Sequence, residues 1–362
     1  MLGMAPPRTY CCTPEGGTLG LGQRTPTRSL YNGRGGELMK RYALWLTTAL
    51  MLSGLGLAQT KWDMHVAWPS GNFHTKGVVM FADLVTKKSG GDLKIAVHPG
   101  GALGFKGQEV LGAVRSGTLP IAELLMGNAR GDDPIFGLTS VPLLVKNYDE
   151  AWKLYQIAKP YYQEALTRHN AKLLYAVPWP PSGIYTKKML KSTADFRGLK
   201  IRTYDANSAE FVTLLGGQGI AIPFSELYTA LSTGLVNGVL TSTQTGVDAK
   251  LWEVTNYFHR INYAFPLNMV IVNKQAFEKL SAEEQQAVLD AAAEVEAFQW
   301  QASQKADLVS EIALKNQGMA IVKDITPELQ SAMESAAEKI LGEWMAEAGP
   351  KAKEVLDAFE GK

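Results

Sequence analysis

The sequence predicts an α/β protein built as two lobes with a cleft between them. From Lys61 onward, short runs of β-forming residues alternate with longer runs that carry apolar residues at helical spacing, a pattern typical of helices packed on sheets. Turn-forming residues at 178–183 and a Phe-Pro pair at 265–266 interrupt this pattern. Because proline fixes φ and removes a donor, both places are expected to be crossings between lobes. Residues 281–314 have apolar residues at helical spacing, and at about 1.5 Å per residue this helix is long enough to run along both lobes.

The individual strands and helices are predicted from the local spacing of apolar residues and from turn-forming and helix-capping residues. In the first lobe the predicted strands are residues 62–66, 93–97, 120–125 and 172–177, and the predicted helices are residues 77–88, 108–116 and 149–168. In the second lobe the predicted strands are residues 199–203, 219–222 and 236–241, and the predicted helices are residues 206–215 and 224–234. Residues 268–273 are predicted to return as a strand to the first lobe. Ser281 and Glu284 form a capping box that begins the long helix.

These crossings define the expected lobe boundaries. The first lobe is predicted to comprise residues 60–180 plus 267–306. The second is predicted to comprise residues 181–266 plus 307–362. A chain that leaves one lobe, builds a second and returns creates a hinge and a cleft.

The amino-terminal region has the pattern of an export signal. Lys40 and Arg41 precede an apolar run at residues 42–57, and Gly56 and Ala58 suit a signal-peptidase site. The alternative is an uncleaved anchor, but the run is interrupted and shorter than the roughly 20 residues that span a bilayer. Residues 39–58 are therefore expected to be a cleaved signal, residues 1–38 an upstream extension from a start site placed too early, and the mature protein periplasmic.

Charge and cysteine content exclude several classes of function. The whole chain has 36 Lys and Arg against 35 Asp and Glu. Six of those basic residues and two of the acidic ones lie in the first 58 residues, so the expected mature chain has a net charge of −3. A nucleic-acid partner is not indicated. Cys11 and Cys12 also lie in the first 58 residues, so no disulfide or thiolate metal site is expected in the mature chain.

No constellation that would support catalysis is apparent in the sequence. The chain has five histidines, His65, His74, His98, His169 and His259. None of them forms the helical metal-binding spacing of a His-Glu-x-x-His motif, and there is neither a Gly-x-Ser-x-Gly elbow nor a phosphate-binding loop. No cofactor is expected.

Among the polar residues, Arg202 is the strongest candidate for binding a ligand. It lies near the end of the short predicted strand Lys200-Ile201-Arg202-Thr203, which is followed by Tyr204. A guanidinium presents a planar fork that matches a carboxylate through two charge-assisted hydrogen bonds. The alternative is a surface or structural arginine.

Three segments together resemble a known family. They are residues 195–202 (DFRGLKIR), Leu215-Gly216 and residues 223–238 (PFSELYTALSTGLVNG). The chain is similar, from about Met64 to its end, to the periplasmic binding proteins of tripartite ATP-independent periplasmic (TRAP) transporters. The resemblance implies a periplasmic-binding-protein fold with two hinged lobes, an organic carboxylate as ligand, integral-membrane transporter subunits as partners, and no enzymatic activity.

The resemblance also implies roles for particular residues. Arg202 falls on the arginine that pairs with the ligand carboxylate. Thr241, Phe224 and Phe73 fall on or near other positions of the pocket, and Ser242 is expected beside Thr241. One departure is notable, because relatives often place a second arginine after the first crossing, whereas residues 179–186 contain no basic residue.

Aromatic residues lie around the first crossing and the arginine. Trp179, Tyr185 and Tyr204 are expected either to cover the body of a ligand, with Tyr185 donating a phenolic hydrogen bond, or to pack the seam between lobes. With one arginine, they favour a monocarboxylate that is aromatic or a compact hydroxy or keto acid. An aliphatic sugar or hydroxy acid remains an alternative ligand, and a ligand carrier feeding a sensory receptor remains an alternative role. No paired acidic residues suggest a metal site.

Overall fold

A computed structural model of the chain describes residues 59–362. The predicted upstream extension, the predicted signal and both cysteines lie outside the described residues. No helix within residues 59–362 is long and apolar enough to cross a membrane. The described part contains two separate β-sheets flanked by helices, so the predicted α/β class is confirmed.

The first sheet has five strands in the order β2-β1-β3-β10-β4. They are β1 (Thr60–His65), β2 (Leu93–His98), β3 (Ile121–Leu125), β4 (Ala171–Pro178) and β10 (Leu267–Asn273). Strands β1, β2 and β3 are parallel, whereas β10 runs antiparallel between β3 and β4. All five residues of β3 are buried, as expected for a central strand that is covered on both faces.

The second sheet has six strands in the order β11-β9-β5-β8-β6-β7. They are β5 (Ser182–Thr186), β6 (Lys200–Thr203), β7 (Gln218–Ala221), β8 (Gly238–Ser242), β9 (Tyr257–His259) and β11 (Ala320–Val322). Strand β6 lies parallel to both β7 and β8, so the carboxyl ends of these strands meet at one edge.

Helices cover the faces of both sheets. They are α1 (Phe73–Lys88), α2 (Glu109–Ser116), α3 (Tyr148–Arg168), α4 (Ala206–Leu214), α5 (Phe224–Ser232), α6 (Thr243–Asp248), α7 (Lys274–Glu278), α8 (Ala282–Asn316), α9 (Pro327–Ala348) and α10 (Pro350–Glu360). The predicted capping box at the start of α8 is present, since the Ser281 hydroxyl accepts from Glu284 N and the Glu284 carboxylate accepts from Ser281 N.

The chain passes between the sheets at residues 179–181 and 260–266, and these two segments are hydrogen-bonded to each other. Trp179 N donates to Pro266 O over 2.8 Å, and Ser182 N donates to Ala264 O over 3.1 Å. The crossings therefore form a two-stranded connection between the first lobe, which carries the first sheet, and the second lobe, which carries the second sheet.

Helix α8 is packed in both lobes. Val288, Ala291 and Val295 belong to the core on one face of the first sheet. Leu314, near the other end of the helix, packs with Tyr185 and Phe258 in the core of the second lobe. The prediction of a long helix spanning both lobes is confirmed.

Two of the differences from the sequence-based expectation concern the first crossing and the end of the chain. Strand β5 begins at Ser182, inside residues 178–183, which were expected to be only a turn, and it forms through its pairing with β8 and β9. Helix α10 packs its Ala352, Val355 and Leu356 in a core of the first lobe. The assignment of residues 307–362 to the second lobe is therefore corrected for α10 and for the end of α9, where Trp344 lies in the same core.

Candidate ligand-binding site

A small cavity of about 30 Å³ lies between the two lobes, next to the crossing segments. Its walls come from the ends of strands β3, β6 and β8, from both crossings, and from the first turns of α5 and α6. The lining residues are Trp68, Leu125, Trp179, Ser182, Arg202, Tyr204, Phe224, Thr241, Ser242, Thr245 and Pro266. The carboxyl ends of parallel strands in open α/β sheets are where ligands are usually bound.

Arg202 is buried in the wall of this cavity with only 3% of its surface exposed. Its Nε donates to the carbonyl of Ile222 over 2.8 Å, which fixes the plane of the guanidinium. Within residues 59–362 no carboxylate oxygen lies within 4.0 Å of it. Burial lowers the pKa of Arg202 to about 10, although the nearby Tyr204 and Asp205 act in the opposite direction. A buried cation without an anionic partner is costly, so this site favours an anion.

Aromatic side chains form one side of the cavity. Trp68 packs edge-to-face on Trp179 at 4.6 Å between ring centroids, and the ring of Phe224 lies 5.4 Å from that of Trp68. The indole nitrogen of Trp179 donates to Asn268 Oδ1 over 2.8 Å, which holds the ring in place. These faces offer apolar area for the body of a ligand.

Hydroxyl groups form another side. Ser242 caps α6, because its Oγ accepts from Thr245 N and donates to Thr245 Oγ1, both over 3.2 Å. The hydroxyl groups of Tyr204 and Ser182 lie 3.3 Å apart. Thr241 is 3% exposed, and its hydroxyl makes no hydrogen bond within the described part of the chain.

Two of the expected site residues do not line the cavity. Tyr185 is fully buried in the second lobe, 4.5 Å from Phe258 by ring centroids, and its hydroxyl donates to the carbonyl of Ser242. The two-residue period of a strand puts Tyr185 on the face opposite Ser182, which does line the cavity. Phe73 begins α1 behind Trp179, at 5.7 Å between ring centroids, so it supports the wall without forming it.

The structure adds lining residues that the sequence did not single out. They are Trp68, Leu125, Ser182, Thr245 and Pro266. The available signal for Trp68 was its position just after a predicted strand and directly before Pro69, where a turn would place it at the sheet edge. Ser182 and Thr245 reach the cavity through the folding of the second lobe, Leu125 comes from the first sheet and Pro266 from the second crossing.

Polar contacts hold the lobes together around the cavity. Asn72, ahead of α1, donates through Nδ2 to Asp248 Oδ2 over 2.6 Å, and Lys106 pairs with Glu226 over 2.9 Å. Each contact joins a residue of the first lobe to one of the second. The lobes are therefore closed over the cavity.

Comparison with known proteins finds a family of solute-binding proteins. Residues 64–348 match the family described as "Bacterial extracellular solute-binding protein, family 7". The chain is 29% identical over 225 residues to the 2,3-diketo-L-gulonate-binding periplasmic protein YiaO of Escherichia coli, covering 60% of this chain and 67% of that one.

Two solved structures are similar over almost their whole length. One is DctP6, a Bordetella pertussis extracytoplasmic solute receptor binding pyroglutamic acid, with 35% identity, a TM-score of 0.81 and coverage of 84% of this chain and 100% of that chain. The other is a TRAP solute-binding protein from a marine metagenome, specific for pyroglutamate, with 34% identity, a TM-score of 0.82 and coverage of 84% and 100%. The fold is shared with these receptors, and a buried arginine faces a closed cavity between the two lobes, as a solute-binding protein requires. The chain belongs to bacterial extracellular solute-binding protein family 7, the TRAP solute receptors.

Proposed function

We propose that this protein captures a compact organic monocarboxylate in the cavity between its lobes and delivers it to the membrane subunits of a TRAP transporter. The observation that carries the proposal is Arg202, a guanidinium 3% exposed that has no carboxylate partner within the described residues. Its Nη atoms can form the two parallel hydrogen bonds that a carboxylate accepts.

The charge of the cavity wall supports a ligand with a single carboxylate. Arg202 is the one basic residue among its lining residues. A second carboxylate would lose its water without gaining a cationic partner, which is an expensive arrangement. Dicarboxylic acids are therefore expected to bind more weakly than monocarboxylic acids of similar size.

The size and composition of the cavity support a compact ligand body. The walls bring Trp68, Trp179 and Phe224 together, and the cavity is small. Thr241 supplies a hydroxyl group with no partner in the described part of the chain. The relatives named for pyroglutamic acid bind a compact monocarboxylate with a ring, which supports the same class here.

The closed arrangement supports a role in delivery. Ligand that bridges the two lobes stabilises the closed state by its differential affinity for that state. Membrane subunits that recognise the closed shape would then receive loaded protein in preference to empty protein. The predicted signal at residues 39–58 would place this exchange in the periplasm.

The test is calorimetry on the purified mature protein with a panel of organic acids, preceded by a thermal-shift screen, since a ligand that binds only the folded state raises apparent stability. Arg202→Ala should reduce affinity by about 2–5 kcal/mol, and Arg202→Lys should bind poorly because an ammonium lacks the fork. The control is Arg197→Ala, which removes an exposed arginine five residues earlier. Tight binding of a monocarboxylate by the Arg202→Ala variant would overturn the proposal.

A further inference from the structure

A cluster of basic residues lies at the edge of the second sheet opposite the cavity. Thr186, the last residue of β5, and Ile201 of β6 are both register partners of Gly238 in β8. The segment that follows β5 and the start of β6 therefore meet at one edge, where Lys187 lies roughly 16 Å along the strand direction from Ser182 at the cavity. The basic edge is defined by five exposed residues: Lys187, Lys188, Lys191, Arg197 and Lys200.

The charge of the basic edge is opposite to that of the rest of the protein. Residues 187–200 contain five of the 30 basic residues within 59–362, but only one of the 33 acidic residues. This segment therefore has a formal charge of +4, whereas the remainder of residues 59–362 has a formal charge of −7. An anionic surface would orient such a protein, because it attracts one face and repels the others.

None of the five basic side chains is neutralised by a carboxylate within residues 59–362. No ion pair of 4.0 Å or less joins any of them to an aspartate or a glutamate of this part of the chain. Asp195, the acidic residue of the segment, instead accepts from Lys191 N over 2.8 Å and from Ser192 N over 2.9 Å. These backbone hydrogen bonds lower the pKa of Asp195. Its carboxylate serves the turn, and the positive charges of the basic edge remain available to a partner.

The backbone that carries the lysines is held in place. Thr186 Oγ1 donates to the carbonyl of Lys188 over 2.6 Å. Leu190 is buried, and its N–H donates to His259 Nε2 over 2.8 Å. The charged side chains therefore project from a fixed turn, so that little backbone has to be ordered when a partner binds.

A groove of about 430 Å³ lies in the basic edge. Lys187 and Lys188, which follow β5, and Arg197, which precedes β6, all line it. Met189 also lines the groove and is 40% exposed. The lysine stems and the methionine offer apolar contact, while the ammonium groups can stay hydrated.

These features fit phospholipid headgroups better than the carboxylates of an acidic protein. Four of the five basic residues are lysines, which are point charges on flexible stems, whereas arginine supplies the planar fork that matches a carboxylate. A phospholipid surface presents many phosphate groups in no fixed register, and flexible lysines can meet them. It also accepts an exposed apolar side chain such as Met189 at the headgroup boundary.

We propose that the basic edge is a docking surface for an anionic phospholipid membrane. Adsorption through this edge would place the second lobe nearest the membrane and would confine the search for a membrane transporter to two dimensions. The inference goes beyond the proposed function and does not rest on the identity of the ligand, because none of these five side chains lines the cavity.

The first test measures co-sedimentation of the purified mature protein with phospholipid vesicles. One set contains phosphatidylethanolamine with about 30% phosphatidylglycerol, and the other contains phosphatidylcholine alone. We expect binding to the anionic set and at least about tenfold weaker binding to the neutral set. Raising the salt concentration from about 50 mM to about 300 mM should weaken binding to the anionic vesicles about tenfold or more, because the Debye length shortens.

The second test uses paired charge reversals. Lys187→Glu combined with Lys188→Glu should lower partition into anionic vesicles about tenfold or more, since two attractive charges become repulsive. The matched control is Lys61→Glu combined with Lys94→Glu. These two lysines are exposed register partners in the first sheet, and their reversal changes the net charge by the same amount. The control should alter vesicle binding by no more than about twofold, because its site lies outside the docking surface.

The outcomes separate a docking surface from a general effect of charge. An equal loss of binding in the two double variants, or equal binding to anionic and neutral vesicles, would overturn the proposal. Binding to soluble poly-L-glutamate without binding to anionic vesicles would also overturn it, in favour of an acidic protein partner. Thermal melting establishes that each variant is folded. If the first double variant does not fold, Lys187→Gln combined with Lys188→Gln replaces it and should lower partition about threefold or more.

Discussion

Asn72 Nδ2 donates a 2.6 Å hydrogen bond to Asp248 Oδ2, and so the residue that caps α1 in the first lobe also holds the last residue of α6 in the second. The same side chain accepts from His74 N through Oδ1. The side-chain amide of Asn72 therefore both caps the first helix and forms a contact that holds the two lobes together. Burial raises the pKa of Asp248, while the hydrogen bonds from Asn72 and Gln244 act against that rise.

This contact predicts a selective effect of Asn72→Asp. Aspartate caps a helix as well as asparagine does, but it would place a second carboxylate against Asp248 in the closed state. We expect ligand affinity to fall about tenfold or more, because like charges at this distance oppose closure. Calorimetry would measure the ligand affinity, and thermal melting would measure the stability of the variant. The matched control is Asn147→Asp, which caps α3 beside Glu150 within one lobe and should leave affinity unchanged.

Arg202 predicts a conflict between binding and stability. Because its guanidinium is buried without an anionic partner and its pKa is lowered to about 10, replacing it with an apolar chain of similar length should relieve desolvation. Arg202→Met is expected to raise the free energy of unfolding of the ligand-free protein by roughly 1–3 kcal/mol while abolishing ligand binding. Denaturant titration without ligand checks this. A clear loss of stability in this variant would mean that Arg202 has a structural role.

Glu311 predicts a loss of stability in acid. Burial acts to raise its pKa, but Lys315, Lys323 and Arg260 outweigh this and lower the pKa to about 2. A carboxyl group with a lowered folded-state pKa stabilises the fold above its unfolded value and loses that contribution as the pH falls through the folded value. The unmodified protein should therefore lose about 2 kcal/mol between roughly pH 4.5 and pH 2 that Glu311→Gln does not lose. Chemical unfolding of both proteins at pH 7, 4 and 2.5 would show it.

Gly183 predicts a steric limit next to the first crossing. A Cβ at this position would overlap the carbonyl oxygen of His259 and the ring of Phe258, and both residues are fully buried in the second lobe. Gly183→Ala should destabilise the protein by about 1–3 kcal/mol through overpacking. Gly112→Ala is the control, because nothing lies within 4 Å of a Cβ there and alanine favours the helix. Equal melting temperatures for the two variants would contradict the packing described here.

The sequence predicted the elements that local signals define. The capping box of α8, the strand that contains Arg202 and the helix of residues 224–234 were all apparent from spacing and composition, and α5 ends only two residues earlier than predicted. Strands β5, β9 and β11 were missed because all three are short and form only by pairing with their neighbours. Tyr185 was misplaced for a related reason. Without the register of β5, its face could not be assigned, and a one-residue shift reverses every side chain of a strand.

The middle of α8 has a mechanical consequence. Up to Val295 its buried side is apolar and interdigitates with the first lobe, but the buried residues that follow are largely polar: Glu296, Gln299, Ser303, Asp307, Ser310 and Glu311. Their contacts are hydrogen bonds, such as Ser303 to Tyr148 over 3.0 Å and Thr243 to Asp307 over 2.8 Å. Interlocked apolar side chains resist sliding, whereas hydrogen bonds can be exchanged one at a time with little change in volume. Leu314 anchors the far end of the helix in the core of the second lobe, so the polar stretch between the two apolar ends is the part whose contacts can be exchanged when the lobes move, while the helix itself stays intact.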